Sequence, residues 1–178
     1  GAAFKGDVDF DPSNGTHEIK GLHFHIGIIL KLDKSGSFQW VKQTYKSTNT
    51  SLIHSLALDN NGNIFTTGFF IGKTIFYLNN DSVTYNAGNQ DVFIQKLDKN
   101  GDFQWAKKIG GTGIDQGHAI AVGPDGDVVI TGQFKSSTMS LNPDPNAVNP
   151  KKVSNAGTRY DIFFVKLKGV DGEYVWGH

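Results

Sequence analysis

Three groups of residues in this chain have types and spacings that chemistry could use. Asp7, Asp9 and Asp11, followed by Asn14 and Gly15, form a D-x-D-x-D-x-x-N-G run. In a strand the three carboxylates line one face while Val8 and Phe10 take the other. Like charges at that spacing repel unless a cation or solvent screens them, so the run reads either as an oxygen-liganded calcium site or as a solvated sheet edge. It lacks the Glu that closes an EF-hand loop, and the corresponding positions further along, Asn79 and Asn142, carry few acids. His54 and His118 occupy equivalent places in two similar segments, in phase with Leu56, Leu58, Ile120 and Val122. Hydrogen-bonded packing histidines are the expectation, with a paired metal or channel site as the alternative. His23 and His25 share a strand face but have no evident third ligand.

The third group is a motif in which Asp, Gly and Trp recur. Residues 97–105 read LDKNGDFQW, residues 32–40 read LDKSGSFQW, and residues 167–176 read LKGVDGEYVW, looser and one residue longer. No nucleophile, base and orienting group can be assembled around it. Gly110-Gly111-Thr112-Gly113 precedes a strand rather than a helix, so it is not a phosphate cradle. Asp115, Asp125 and Asp127 read as turn formers that accept backbone hydrogen bonds.

Composition narrows the field. Lys plus Arg and Asp plus Glu balance at 17 each, which leaves neither the basic footprint of a nucleic-acid binder nor an attraction to anionic membranes. Cysteine is absent, which excludes disulfides and thiolate metal sites. No apolar run is long enough to span a bilayer. The 22 glycines, single Met and 12 % aromatics suit short strands and tight turns, and no window shows a 3.6-residue apolar period. The chain starts without Met and in mid-pattern, and so reads as a piece of a longer protein.

The elements that must position these residues repeat as a unit. An apolar strand (residues 28–32, 92–97 and 163–167) leads through an Asn-Gly or Asp-Gly type hairpin turn into a strand carrying two aromatics: Phe38 and Trp40, Phe103 and Trp105, Tyr174 and Trp176. At period two both rings of a pair share one face and offer a neighbouring unit a single aromatic surface. Two more strands follow (residues 51–59 with 63–70, and 117–125 with 127–134), then a variable insert expected as an edge hairpin or a long surface loop, most loop-like in the copy with Pro143, Pro145 and Pro150. Phe4, Phe69 and Phe134 stand 65 residues apart, so the start of the chain reads as the tail of a second strand. The expectation is an all-β, partial β-propeller of about three four-stranded antiparallel blades from repeats of about 65 residues. Residues 1–45 form a blade lacking its first two strands, and residues 46–110 and 111–178 form complete blades.

Residues 91–105, then 110–115, then 119–132 carry in order a pattern that resembles the bacterial SBBP-type β-propeller repeat. That pattern is roughly D-x-F-V-x-K-L-D-x-x-G-x-x-x-W, followed by G-G-x-G-x-D and I-A-V-D-x-x-G-N-V-Y-x-T-G. VDFDP at residues 8–12 matches a frequent insert, while residues 43–50 replace the Gly-rich link in the first copy. The resemblance implies an extracellular or cell-surface bacterial propeller acting as a non-enzymatic scaffold for a protein or glycan, completed by the remaining blades of its parent chain or by partner chains. It also implies that the His54 and His118 strands are innermost and the Trp strands outermost. The alternatives are the propeller part of a carbohydrate-processing or other secreted enzyme whose active site lies elsewhere, and a calcium-stabilised adhesin module held by Asp7, Asp9 and Asp11. Sialidase-type Asp boxes space Asp, Gly and Trp more tightly than residues 33–40 do. Trp40, Trp105 and Trp176 are therefore expected to be structural, along with Phe38, Phe103 and Tyr174.

Overall fold

The computed structural model describes the chain apart from residues 1, 5, 14, 21–25 and 78–81, and describes only the backbone of residues 2–4, 26 and 77. His23, His25, Asn14 and Asn79 therefore lie outside the described residues. All regular elements among those described are strands, and every pairing between them is antiparallel. β1 (Ala2–Phe4) is followed by the hairpin β2 (Val8–Asp9) and β3 (Glu18–Ile19), then by β4 (Ile26–Leu32) and β5 (Phe38–Gln43). β1, β4 and β5 make one sheet. A short β6 (Tyr45–Ser47) leads into a second blade, β7 (Ser51–Leu58), β8 (Ile64–Tyr77), β9 (Ser82–Leu97) and β10 (Phe103–Gly111). The third blade takes β11 (Asp115–Val122) and β12 (Val128–Phe134), then the hairpin β13 (Thr138–Ser140) and β14 (Lys152–Ser154), then β15 (Asp161–Leu167) and β16 (Tyr174–Gly177). Its sheet runs in the order β11-β12-β15-β16, the meander expected of a propeller blade.

Three of the turns have the same physical cause, an Asp at the first position, which Lys168 replaces in the last blade. Asp98 accepts the Gly101 amide on its carbonyl, while its carboxylate takes the Asn100 and Asp102 amides at 2.8 and 2.9 Å. Asp33 and Asp59 do the same in their own turns. Positive φ falls on Gly101 alone (80°) and not on the preceding Asn. The Asn-Gly step is thus a type I turn closed by a left-handed glycine, rather than a two-residue turn with positive φ at both positions.

The inserts are hairpins. β13 pairs with the end of β10 (Gly110↔Ser140), and β6 pairs with the far half of β8 (Tyr45↔Phe76), so each insert clasps the strand arriving from the previous blade. Met139 and Leu141 are fully buried there, which makes the Pro-rich copy a clamp as well as a loop. Phe70 and Phe134 face Asp91 and Asp161 in register, so Phe70, and not Phe69, is the counterpart of Phe134. The equal spacing of 65 marks a coincidence of aromatics.

The aromatic pairs do not share a face. β9 and β10 pair Leu97 with Phe103 and Lys96 with Trp105, so a bulge at Gln104 absorbs the spacer residue. Leu97 and Lys96 are adjacent and point to opposite sides of the sheet, and so therefore do the two rings. Phe103 packs with Ile29, Tyr45 and Phe93 toward the first sheet. Trp105 packs with Ile120, Phe163 and Leu167 toward the third. The same shift recurs at Leu32/Phe38 and Leu167/Tyr174. Two separate cores between successive blades result, instead of one aromatic face per blade.

Candidate functional site

The Asp-Gly-Trp motif builds a joint between blades. Trp40 and Lys42 of the first sheet lie over Gly101 so closely that a Cβ there would meet them at 2.9 and 3.0 Å. Trp105 and Lys107 cover Gly172 in the same way, at 3.2 and 2.7 Å. The lysine opposite each Trp reaches across: Lys31 Nζ donates to the Lys99 carbonyl at 3.1 Å, and Lys96 Nζ to the Gly169 carbonyl at 2.8 Å. Trp105 Nε1 donates to that Gly169 carbonyl as well (3.3 Å), and Lys42 pairs with Asp102 at 2.6 Å. Each blade thus offers a Trp, a Lys and a second cation, and the next receives them on its glycine turn. Trp176, with Tyr174 behind it, is half-exposed beside His178. Phe38 packs with Phe10 and Ile19 of the β2–β3 hairpin. The lysines and glycines of this joint are recurring positions whose role in the motif could be read only once two blades were in contact.

The histidines lie on β7 and β11, and bulges take both out of the alternation with their neighbours. β7 and β8 pair Ile53 with Gly68 and Ser55 with Thr67, leaving His54 as the extra residue of a bulge. His118 is the extra residue between Gly117 and Ala119. A Cβ on the facing Gly68 or Gly132 would overlap the carbonyl oxygen of Leu52 or Gln116, which explains the recurring Thr-Gly step. The two rings stack, with centroids 5.2 Å apart and planes 5° apart. His54 Nδ1 meets the Gly117 carbonyl at 2.9 Å, and Gln116 bridges Gln90 and Gln133. Partial desolvation, reinforced by the His54 ring, holds His118 below the ordinary imidazole value.

The acids are engaged individually. Asp9 accepts the Asp11 and His17 amides at 3.0 and 2.8 Å, and Asp11 accepts the Ser13 amide at 2.9 Å. These bonds hold the Asp9 carboxyl below the usual range. Asp7 is exposed. Among the described residues, no three His, Asp or Glu side chains gather as a metal-ligand group. Asn142 and Asp144 repeat the turn of Asp9 and Asp11 in the third blade. Asp125 pairs with Lys166 at 2.6 Å.

Asp115 is far more buried than a reading as a turn former allows, and Asp91 is buried with it. Asp115 is fully buried and takes the Gly111 amide (2.8 Å), the Ser136 hydroxyl (2.6 Å) and the Lys135 and Ser136 amides (both 3.2 Å). It fastens the link leaving the second blade to the exit of β12. Asp91, also buried, pairs with Lys108 at 2.7 Å through one oxygen, while the other has no hydrogen-bond partner. Burial pushes its carboxyl upward against the pull of Lys108. Two polar clefts open between the second and third blades. One, of about 450 Å³, lies between the β7–β8 and β11–β12 turns, with Asp59, Asn60, Asn61, Pro124 and Asp125 at its rim. The other, of about 410 Å³, holds Tyr85, Lys107, Asp144, Glu173 and Tyr174.

No protein-family profile matches the chain. It is 25 % identical over 173 residues to an uncharacterized WD repeat-containing protein of Acanthamoeba polyphaga mimivirus, an alignment that covers 83 % of this chain and 12 % of the relative. It is 26 % identical over 148 residues to the regulatory protein FlaEY of Caulobacter vibrioides, covering 80 % of this chain and 14 % of that protein. The chain therefore spans only a small part of the length of either relative. The blades, their joints and the likeness to a WD repeat-containing protein make this a repeat chain of propeller-like architecture.

Proposed function

We propose that the chain is a non-enzymatic segment of a propeller scaffold that holds a protein partner on the rim formed by its β7–β8 and β11–β12 turns. The observation behind this reading is how its residues divide. Those that recur between blades are taken up by joints and turn caps, whereas these two turns present different tips, Asn60-Asn61 and Pro124-Asp125, around the 450 Å³ cleft. A rigid sheet with variable turns on one rim is the arrangement by which scaffolds carry recognition loops. The likeness to a WD repeat-containing protein supports the scaffold reading. The motif resemblance to the SBBP-type repeat supports a bacterial extracellular or cell-surface setting. To test the partner site, the chain would be cross-linked in a secreted bacterial protein extract and the links mapped by mass spectrometry. Links concentrated near residues 59–63 and 123–127, and lost with Asn60→Ala plus Asn61→Ala, are expected. Links spread over the whole surface and unaffected by that variant would overturn it.

One observation favours a glycan as the ligand instead. The second cleft combines two tyrosines with Asp144, Glu173 and Lys107, the mix of ring faces and hydrogen-bonding groups that sugars use. Binding on a glycan array that disappears with Tyr174→Ala would decide for it.

A further inference from the structure

The two joints are built from the same positions but differ in chemistry at their centre. In the joint between the second and third blades, Ile109, Ile130 and Val165 belong to one core and are 1, 0 and 0 % exposed. Strand register gives each a counterpart in the joint between the first sheet and the second blade. Thr66 pairs with Gln95 as Ile130 pairs with Val165, and Thr44, one residue past β5, bonds to the Gly27 carbonyl where Ile109 pairs with Val92. Three aliphatic side chains are thus replaced by Thr44, Thr66 and Gln95, which are 3, 0 and 0 % exposed. Their neighbours on the same sheet face, Ile64, Phe93 and Leu97, remain apolar and buried.

These polar groups meet but do not satisfy one another. Gln95 Nε2 donates to the Thr44 carbonyl at 2.9 Å and so ties β9 to the end of β5 across the joint, while Gln95 Oε1 has no donor. The Thr44 and Thr66 hydroxyls also lack a protein partner. Threonines one step away differ: the Thr67 and Thr131 hydroxyls donate to the Phe93 and Phe163 carbonyls at 2.8 and 2.9 Å. A buried oxygen that has lost its hydration without gaining a bond is destabilising, so three of them at one level of one joint point to a hydrogen-bonding ligand.

We propose that this joint holds a buried water molecule bonded to Gln95 Oε1 and to the hydroxyls of Thr44 and Thr66. The three groups match what water offers: the amide oxygen only accepts, so a water O–H is directed at it, and each threonine hydroxyl can donate or accept. A buried water typically makes about three such bonds. All three groups are neutral and none is a carboxylate, which favours water over a divalent cation. The first joint is then a wet contact and the second a dry one. Both walls of the site lie within the chain, and it does not depend on what the rim or the clefts bind.

Magnetic relaxation dispersion of the solvent, measured on the 178-residue chain, counts internal waters of long residence time. The triple variant Thr44→Ile, Thr66→Ile, Gln95→Val copies the second joint. It is expected to fold, checked by an unchanged circular dichroism spectrum, and to lose about one long-lived water. Thr66→Val keeps the side-chain shape and gives a measurement that does not rely on the triple variant. With water in the joint it removes a bond and lowers the melting temperature, whereas in a dry joint it removes an unpartnered hydroxyl and raises it. The wild-type melting temperature is expected to be the same in sodium, potassium and choline chloride at equal ionic strength. A dispersion unchanged in the folded triple variant, or a Thr66→Val chain more stable than wild type, would overturn the proposal. So would a gain in stability confined to the sodium or potassium salt, which would identify a monovalent cation as the ligand.

Discussion

At the residue scale the sharpest contrast is between two buried carboxylates, Asp115 and Asp91. Asp115 has four donors and no spare oxygen, so Asp115→Asn turns an amide group toward N–H or O–H donors and strands them in a buried site. A loss of about 2–3 kcal/mol is expected in urea unfolding. Asp91 has an unpartnered oxygen, and its counter-ion Lys108 reaches solvent, so Asp91→Asn is expected to fall within about 1 kcal/mol of the parent or to stabilise it. The sign with pH follows from the raised carboxyl. The folded chain holds this proton more tightly than the unfolded one, so stability from Asp91 falls as pH rises from the ordinary carboxylate value through the raised one. Thermal midpoints measured across that window should lose this component in Asp91→Asn. Asp9 and Asp11 already cap their own turns, and removing divalent ions with a chelator is expected to leave the melting temperature unchanged. A fall of several degrees would establish calcium at Asp7, Asp9 and Asp11. Trp105→Ala empties a joint and should cost about 3–5 kcal/mol, whereas Trp176→Ala, at a ring that is exposed in this chain, should cost under about 1 kcal/mol.

At the element scale the bulges are the decisive feature. They take His54 and His118 out of the alternation of β7 and β11 so that the rings stack, and they separate the faces of Phe103 and Trp105. Gly68→Ala would force the strand away from the Leu52 carbonyl and is expected to destabilise the second blade by more than about 1 kcal/mol. The pair of histidines gives a pH signature of its own. Because His118 is held below the ordinary imidazole value, the unfolded chain takes up the proton first. Stability is full above the ordinary value and declines as pH falls through it toward the lowered one. Following the His118 ring protons by NMR between neutral and mildly acidic pH checks this, and a midpoint at or above the ordinary value would contradict it.

At the scale of the whole molecule the sequence by itself determined a good deal. The repeated L-D-x-x-G-x-x-x-W motif, the alternating strands and the absence of a helical period specified an all-β chain of antiparallel blades. Those signals are local: turn chemistry, strand alternation and glycine placement operate over a few residues and need no partner. The sequence also pointed to Trp40, Trp105 and Trp176 as packing groups through their recurrence. Tertiary structure alone decided which side each ring faces, because a one-residue bulge reverses the alternation that a period-two reading assumes. Only the assembled sheets showed that Gly101 and Gly172 are seats for the preceding Trp, that Lys31 and Lys96 reach the next blade, and that Asp115 is a buried fastener rather than a turn former. Each of those roles belongs to a contact between segments far apart in the chain, and composition and spacing carry no record of which segment will lie opposite which.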